Sequence, residues 1–147
     1  MRYTFDYKVI KATDFNLPQR RPRTFMVGFN KDYVNNVPFQ FPEPVPLKMT
    51  MSDVFGGECS RDIGFTLRVG GRSSPIDDRR NWDGYIVDGT EVRLKPEHGL
   101  KMQGFPKNFY LADSISKSMK LLGNSVAVPV VRKIGKSIVK HLDINKK

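Results

Sequence analysis

Cysteine and histidine are scarce in this sequence, which has one Cys and two His among 147 residues. A single cysteine excludes an internal disulfide framework and fits a reducing cytoplasm. So few thiol and imidazole ligands also argue against a structural zinc site. No run approaches the ~20 apolar residues of a membrane span, and no apolar signal segment follows Met1. We therefore expect a cytoplasmic protein without a bound metal and without a membrane partner.

Acidic residues are fewer than basic ones: 15 Asp and Glu stand against 25 Lys and Arg, a net charge of +10. The basic excess lies at both ends of the chain, whereas residues 51–112 are balanced overall. That middle stretch nevertheless contains a close group of arginines: Arg61, Arg68, Arg72, Arg79 and Arg80. Guanidinium groups suit phosphates and guanine edges, so the group is either a nucleic-acid surface or a solvated face paired with neighbouring aspartates.

Short strand signals stand on both sides of a proline-rich linker. Residues 7–12 and 24–29 predict strands, and the second is apolar on both faces, which is typical of a strand buried in a sheet. Clustered prolines disfavour helix and central strand alike, and they predict a linker over residues 38–47. Beyond it, residues 65–69 and 85–87 predict two more strands in a turn-rich middle.

Helix signals follow in the last third of the chain. Residues 97–102 predict a short helix, and a longer one is expected to run from a cap at Asp113 or Ser114 to a stop at Gly123. Another helix begins near Pro129, where a first-turn proline loses no hydrogen bond. This last helix carries an apolar stripe: Val130, Val131, Ile134, Ile138 and Leu142.

Three short segments stand in a recognisable order along the chain. Residues 19–23 have the pattern Gln-x-Arg-x-Arg ahead of a predicted strand, residues 93–106 run from Arg-Leu-Lys-Pro to Gly-Phe-Pro, and residues 123–126 are Gly-Asn-Ser-Val. Together they resemble motifs VIII, IX and X of the cytosine-5 DNA methyltransferase family, in the family's order. The stretch between the first two corresponds to the family's target-recognition domain, so the resemblance covers nearly the whole chain.

The resemblance implies that motif VIII holds the target base. Methylation of carbon 5 requires the cytosine to be flipped out of the duplex and held in a pocket. In the family, the Gln and Arg residues of this motif contact the flipped base and flanking phosphates, and here they are Gln19, Arg21 and Arg23. Because side chains alternate along a strand, we expect Arg21 and Arg23 to share one side, at a pocket rim with Asn124. A plain basic turn is the alternative.

Motif X implies a cofactor site. In the family this motif lines the S-adenosylmethionine pocket, which places Asn124, Ser125 and Val126 beside that cofactor. The alternative is that Asn124 and Ser125 cap the helix that follows them. Neither His98 nor His141 has the sequence partners of a catalytic constellation, and we expect both at the surface.

Residues 65–88 resemble the recognition-loop region of the family. The resemblance implies a set of DNA-binding residues: Arg68, Gly70, Gly71, Arg72, Ser73, Arg79 and Arg80. Paired glycines let a backbone approach a groove closely, and a bidentate arginine contact contributes about 1–3 kcal/mol to base discrimination. The alternative is that Trp82 belongs to a core and that the arginines only balance neighbouring aspartates.

Other motifs of the family are absent from this chain. It has no glycine-rich cofactor loop, no Pro-Cys nucleophile and no Glu-Asn-Val segment, and Cys59 is expected to be structural or incidental and not the nucleophile. We therefore expect the recognition part of a cytosine-5 DNA methyltransferase, a subunit or fragment from a bacterial or phage-like restriction-modification system, inactive alone. S-adenosylmethionine is expected to bind mainly to the missing half. The alternative is a non-enzymatic DNA-binding module or a truncated remnant of such an enzyme.

The expected fold class is α+β, with partial methyltransferase sheet and helix elements at both ends and an irregular, β-rich, small target-recognition domain between them. The expected parts are 1–37 with motif VIII, 38–47 as the linker, 48–112 as the recognition domain with motif IX, and 113–147 with motif X and the returning helices. Double-stranded DNA and a partner chain carrying the missing motifs are the expected partners. We expect the apolar faces at 24–29 and 130–142 to dock on that partner, or to cause self-association of the isolated chain.

Overall fold

Four helices and two short antiparallel sheets make up the protein, whose computed structural model describes residues 1–147. In chain order the elements are β1 (Asp6–Ile10), β2 (Arg23–Val27), α1 (Met51–Phe55), β3 (Gly84–Val87), β4 (Thr90–Arg93), α2 (Pro96–Gln103), α3 (Ile115–Asn124) and α4 (Val128–Asn145). The arrangement is α+β, as expected. No helix has both the length and the apolar character that crossing a bilayer requires.

The first sheet is a hairpin in which β1 pairs with β2 and Tyr7 lies opposite Met26. One face of the hairpin turns inward, and its Ile10 and Val27 are buried. The predicted strand at 24–29 is confirmed, but its burial on both faces is wrong, because Met26 is 66% exposed. The sheet has only these two strands, so nothing in this chain covers its outer face.

The second sheet pairs β3 with β4. The predicted strand at 85–87 is confirmed, whereas β4 and the short helix α1 were not expected. The strand predicted at 65–69 is wrong, because this segment is irregular. Its backbone donors bind side chains instead of another strand: Phe65 N–H donates to the Tyr85 hydroxyl at 2.8 Å, and Leu67 N–H donates to Gln19 Oε1 at 3.4 Å.

Two separate clusters of buried apolar side chains stabilise the fold. The middle core consists of Met51, Val54, Cys59, Leu67, Trp82, Tyr85, Val87, Leu94, Leu100, Met102, Met119 and Leu122. The terminal core consists of Ile10, Ala12, Phe15, Leu17, Val27, Phe29, Val34, Phe39, Ala127, Val130 and Ile134. The half-buried Met49 packs against both. The two ends of the chain therefore share one core, and the region between them forms its own.

The proline-rich stretch between the cores contains no helix or strand, as predicted. It is nevertheless fixed to the protein at two points. Phe39 is buried in the terminal core, and Val45 N–H donates to the carbonyl of Asp14 at 2.8 Å. The linker therefore lies along the protein surface and is anchored to the N-terminal part of the chain.

The helix α3 differs in two ways from its predicted form. It runs past Gly123 to Asn124, and its Met119 and Leu122 belong to the middle core, so the predicted part 113–147 does not pack as one unit. Gly123 is needed for close packing, because a Cβ atom there would lie 2.7 Å from the carbonyl carbon of Arg68.

The start of α4 near Pro129 is confirmed, but only part of its apolar stripe is exposed to solvent. Val130 and Ile134 are buried in the terminal core, whereas Leu142 is exposed. His141 was expected at the surface, and that expectation is wrong. Its ring is buried and stacks on Phe29 with centroids 4.3 Å apart.

His98 makes the start of α2 sensitive to pH. Its Nδ1 accepts a hydrogen bond from Lys95 N–H at 3.1 Å, its ring packs against Phe55, and burial lowers its pKa below the usual 6.5. As the pH falls, His98 becomes protonated in the unfolded chain before it does so in the folded chain, and this favours unfolding. The stability that His98 contributes is therefore present above pH 6.5 and is lost as the pH falls below that value.

We predict that the free energy of unfolding, measured by urea denaturation, decreases more between about pH 7.5 and about pH 5.5 in the wild-type chain than in His98→Gln. The variant lacks the imidazole but keeps His141 and every carboxylate, so it isolates the share of His98. An equal decrease in both proteins would contradict the prediction.

Candidate functional site

The guanidinium group of Arg21 lies inside the protein, where the residue is only 2% exposed. Its Nη1 donates to the carbonyl of Leu67 at 3.0 Å, and its Nη2 donates to the carbonyls of Gly123, at 2.8 Å, and Ser125. These acceptors lie between 46 and 104 residues further along the chain. Both neighbours of Asn124 thus bind Arg21, so the first and third motifs meet through the backbone of the third.

No carboxylate accompanies this buried cation. Burial, together with the nearby charge of Arg23, lowers the pKa of Arg21 to about 10, so the group stays charged at neutral pH. Its acceptor on Gly123 is one of the last carbonyls of α3, where the negative end of the helix dipole lies. Carbonyl dipoles therefore compensate the charge, and Arg21 caps the C-terminal end of α3.

Arg21 and Arg23 do not share one side, and that expectation is wrong. Strand β2 begins only at Arg23, and Arg21 precedes it with a φ of +25°, outside extended geometry. The alternation of side chains along a strand therefore does not apply to the pair. Arg23 is exposed and donates only to the carbonyl of Pro22, at 2.8 Å.

Gln19 is fully buried and joins the first motif to the second. Its Nε2 donates to the carbonyl of Met102 at 2.7 Å and to Gln103 Oε1 at 3.2 Å. Gln103 in turn donates to the carbonyl of Leu122 at 2.9 Å. Gln19 and Arg21 are thus not at a pocket rim, because both are buried and their amide and Nη groups bind partners within the chain. All three motifs meet along one buried polar seam.

The third motif lines an open, mainly apolar cavity of about 490 Å³. Its walls are Phe105, Asn124, Ser125, Val126, Val128, Val131 and Arg132. Asn124 and Val126 are exposed there. The capping alternative for this segment is wrong for α4, whose N-cap is Ala127 without a side-chain bond. The Ser125 hydroxyl donates to the carbonyl of Leu122 at 2.8 Å, so it closes α3 instead.

Three of the predicted DNA-binding residues already have polar partners within the chain. Arg72 donates to the carbonyl of Leu94 and lies 3.6 Å from the buried Asp83, and Ser73 N–H also binds Asp83. Arg80 binds Asp78 at 2.7 Å, and this hydrogen bond holds the pKa of Asp78 at about 2. These three residues already have partners that shape the loop, as the alternative reading of the arginines expects.

Trp82 belongs to the middle core, as the alternative expected, and its indole N–H donates to the carbonyl of Gly70 at 2.9 Å. Gly70 and Gly71 are exposed, and Gly71 has a φ of +77° that favours glycine. Cys59 is buried in the same core. No three His, Cys, Asp or Glu side chains come together in a way that could hold a metal ion.

The two remaining arginines, Arg68 and Arg79, line a cavity of about 250 Å³ together with Arg20 and Arg61. The site prediction omitted Arg20 and Arg61, although Arg61 stands in the arginine group visible in the sequence. Their convergence depends on the segment at 61–68 folding beside residues 19–21, which the isolated β-bridge between Gln19 and Gly64 shows. Sequence spacing alone does not reveal that contact.

Comparison with known proteins identifies a family match and relatives for this chain. The family model described as C-5 cytosine-specific DNA methylase matches residues 1–68 and 77–140. Type II methyltransferase M.DsaV of Dactylococcopsis salina is 30% identical over 98% of this chain and 50% of its own length. Type II methyltransferase M.SsoII of Shigella sonnei is 30% identical over 97% of this chain and 46% of its own. The chain thus spans about half the length of these relatives.

Solved structures share the fold. A crystal structure of a Spodoptera frugiperda DNMT2 mutant superposes with a TM-score of 0.68 over 94% of this chain and 58% of that one, at 12% identity. The family model leaves residues 69–76 unmatched. These residues include the exposed Gly70 and Gly71, so the glycine loop is the internal segment that the family model does not match.

We predict that Arg21→Met lowers the free energy of unfolding by about 3 kcal/mol, because it leaves the carbonyls of Leu67, Gly123 and Ser125 unpaired in the interior. Arg23→Met, the same change at an exposed arginine, is expected to stay within about 0.5 kcal/mol of the wild type. Urea denaturation measures both, and equal losses would refute a special role for Arg21.

Proposed function

Because the chain belongs to the C-5 cytosine-specific DNA methylase family, we propose that it is the C-terminal portion of a cytosine-5 DNA methyltransferase, which recognises the DNA target. The observation that carries this proposal is the set of hydrogen bonds from Arg21 to Leu67, Gly123 and Ser125. They bring the ends of the chain together beside the proposed recognition region. The chain spans about half of its relatives, so methyl transfer requires the remaining half.

In this proposal the residues of motif VIII have different roles. Arg23 is the exposed member, so it contacts the flipped cytosine or its flanking phosphate. Gln19 and Arg21 are buried, so they hold the pocket wall in place through the seam. Arg21 is therefore a positioning residue, and Arg23 is the residue of this motif that touches the substrate.

S-adenosylmethionine supplies the methyl group in this proposal. The chain contributes one wall of its site: Asn124, Ser125 and Val126, which line the cavity of about 490 Å³. The chemistry of that wall fits such a group, because Val126 and its neighbours are apolar and the exposed Asn124 amide has donors and an acceptor free for a polar ligand. The cavity is open, so the missing half closes it and makes most of the cofactor contacts.

Residues 48–112 act as the target-recognition domain in this proposal, and duplex DNA lies across the loop that contains Gly70 and Gly71. Arg68 and Arg79 are free to contact DNA, since neither is paired with a carboxylate. Arg72, Ser73 and Arg80 fix the shape of the loop through their internal partners. This division refines the predicted DNA-binding set.

The partner chain docks on the outer face of the β1–β2 hairpin. Five large side chains are more than half exposed there: Tyr3, Phe5, Tyr7, Val9 and Met26. A contiguous apolar patch of this kind marks an interaction surface, and a two-stranded sheet gains stability from an added layer. The docking face predicted at 130–142 is corrected, because Val130 and Ile134 are occupied by the terminal core.

We predict that the chain alone transfers no methyl group to DNA. Transfer of label from S-adenosylmethionine should appear when a chain carrying the Pro-Cys and Glu-Asn-Val motifs is added. In that mixture Arg23→Gln should lower the rate by roughly 100-fold, the scale expected when one stabilising donor is lost from a reacting site. Binding of DNA without transfer in any mixture would instead favour a non-enzymatic DNA-binding module.

We predict that Tyr7→Lys weakens association with that partner chain at least tenfold, because it places a charge in the centre of the apolar face. Tyr110→Lys is the matched control, since Tyr110 is 73% exposed and Tyr7 67%, and Tyr110 lies outside the hairpin. Isothermal titration calorimetry measures both dissociation constants. Equal affinities for the two variants would show that the partner chain does not bind at the outer face of the hairpin.

A further inference from the structure

We propose that Arg20, Arg61, Arg68 and Arg79 form a binding pocket for one phosphodiester group of the DNA backbone. This inference rests on the proposed DNA-binding function and adds a specific site to it. The four side chains line one cavity of about 250 Å³, whose other walls are Ile63, Gly64, Phe65, Thr66, Asn81 and Trp82. They come from three separate stretches of the chain, so the fold and not the local sequence creates the site.

The charges of this pocket are uncompensated. No Asp or Glu lines it, and none of its four arginines has a carboxylate oxygen within 4.0 Å. The other arginines of the same region are different, because Arg72, Arg80 and Arg93 are each paired with Asp or Glu. Four like charges around one cavity repel one another. An anion that enters the cavity relieves that repulsion.

The pocket is also preorganised. The guanidinium carbon of Arg61 lies 4.3 Å from the centroid of the Phe65 ring, in cation–π geometry. Trp82 and Asn81 are buried, and Asn81 binds the carbonyl of Gly84 at 3.0 Å and that of Ile76. The base of the pocket is therefore rigid, and at least one of its arginines is held in position before an anion binds.

The size and place of the pocket indicate which anion it takes. A volume of about 250 Å³ lies below the roughly 300–1,000 Å³ of sites for whole small molecules, and it suits a phosphate group with part of its sugar. Arg20 directly precedes Arg21 and follows Gln19, which is bridged to Gly64. A phosphodiester held here fixes the DNA strand relative to the segment that carries Arg23.

The test compares two double variants of the full chain that lose the same charge. Arg61→Gln/Arg79→Gln removes two arginines of the pocket, and Arg2→Gln/Lys133→Gln removes two exposed cations that lie outside the pocket and outside the recognition loop. Affinity for a pool of random-sequence duplexes is measured by fluorescence anisotropy over a series of KCl concentrations. Thermal unfolding of each variant verifies that it is folded, and the single variant Arg79→Gln replaces the pocket double variant if that protein is unfolded.

The slope of log K against log salt is negative, and loss of one phosphate contact makes it less negative by about 0.9. We expect this change, and an affinity loss of about tenfold at ~0.1 M salt, in the pocket variant. The control variant should keep the wild-type slope. Equal slopes in the two variants would overturn the pocket but leave the proposed function intact. If the wild-type chain bound no DNA, the proposed function would fail and this inference with it.

A second measurement identifies the source of the phosphate. Trp82 is the only tryptophan and lies in the pocket, so its fluorescence reports binding there. We expect duplex DNA to change the fluorescence of the wild-type chain and not that of the pocket variant. Inorganic phosphate is titrated at constant ionic strength in parallel. A response to inorganic phosphate without a response to DNA would overturn the assignment to the DNA backbone.

Discussion

The buried guanidinium of Arg21 is the interaction on which the rest of the structure depends. It binds carbonyls of Leu67, Gly123 and Ser125, so one side chain joins the start of the chain, its middle and its last third. A buried charge is costly unless it is fully hydrogen-bonded, and here α3 supplies part of the compensation with its C-terminal carbonyls. The candidate contacts to base, cofactor and phosphate are all carried by segments that this group holds together.

The two cores differ in how far this chain covers them. The middle core is covered by its own sheet, helices and loops, and the polar seam of Gln19, Arg21 and Gln103 ties it to the terminal core. The terminal core has no second layer over the hairpin, whose outer side chains remain exposed. This chain, which spans about half the length of its relatives, thus covers the middle core and leaves the outer face of the hairpin exposed.

Much of the organisation was predictable from the sequence, and the failures have physical causes. The resemblance of the motifs predicted that the chain ends would meet. Local signals located β3 and α2 between turn residues, and the four-residue apolar repeat located α4. The prediction that Arg21 and Arg23 share one side was wrong because Arg21 has a positive φ just before β2 begins. Sequence spacing does not reveal which arginines are paired, because Arg79 is next to Asp78 in the sequence and yet Arg80 binds that carboxylate. The sequence therefore could not separate Arg72 and Arg80 from Arg68 and Arg79, or add Arg20 and Arg61.

The glycine loop at 69–76 is held at Gly70 and at Ser73 by side chains that lie outside the loop. The indole of Trp82 holds Gly70 from one side, and the buried carboxylate of Asp83 holds Ser73 from the other. Gly70 itself has no neighbour within 4 Å of where a Cβ would stand. A side chain at position 70 would therefore meet open space, so this position can vary in composition while the anchors of the loop stay constant.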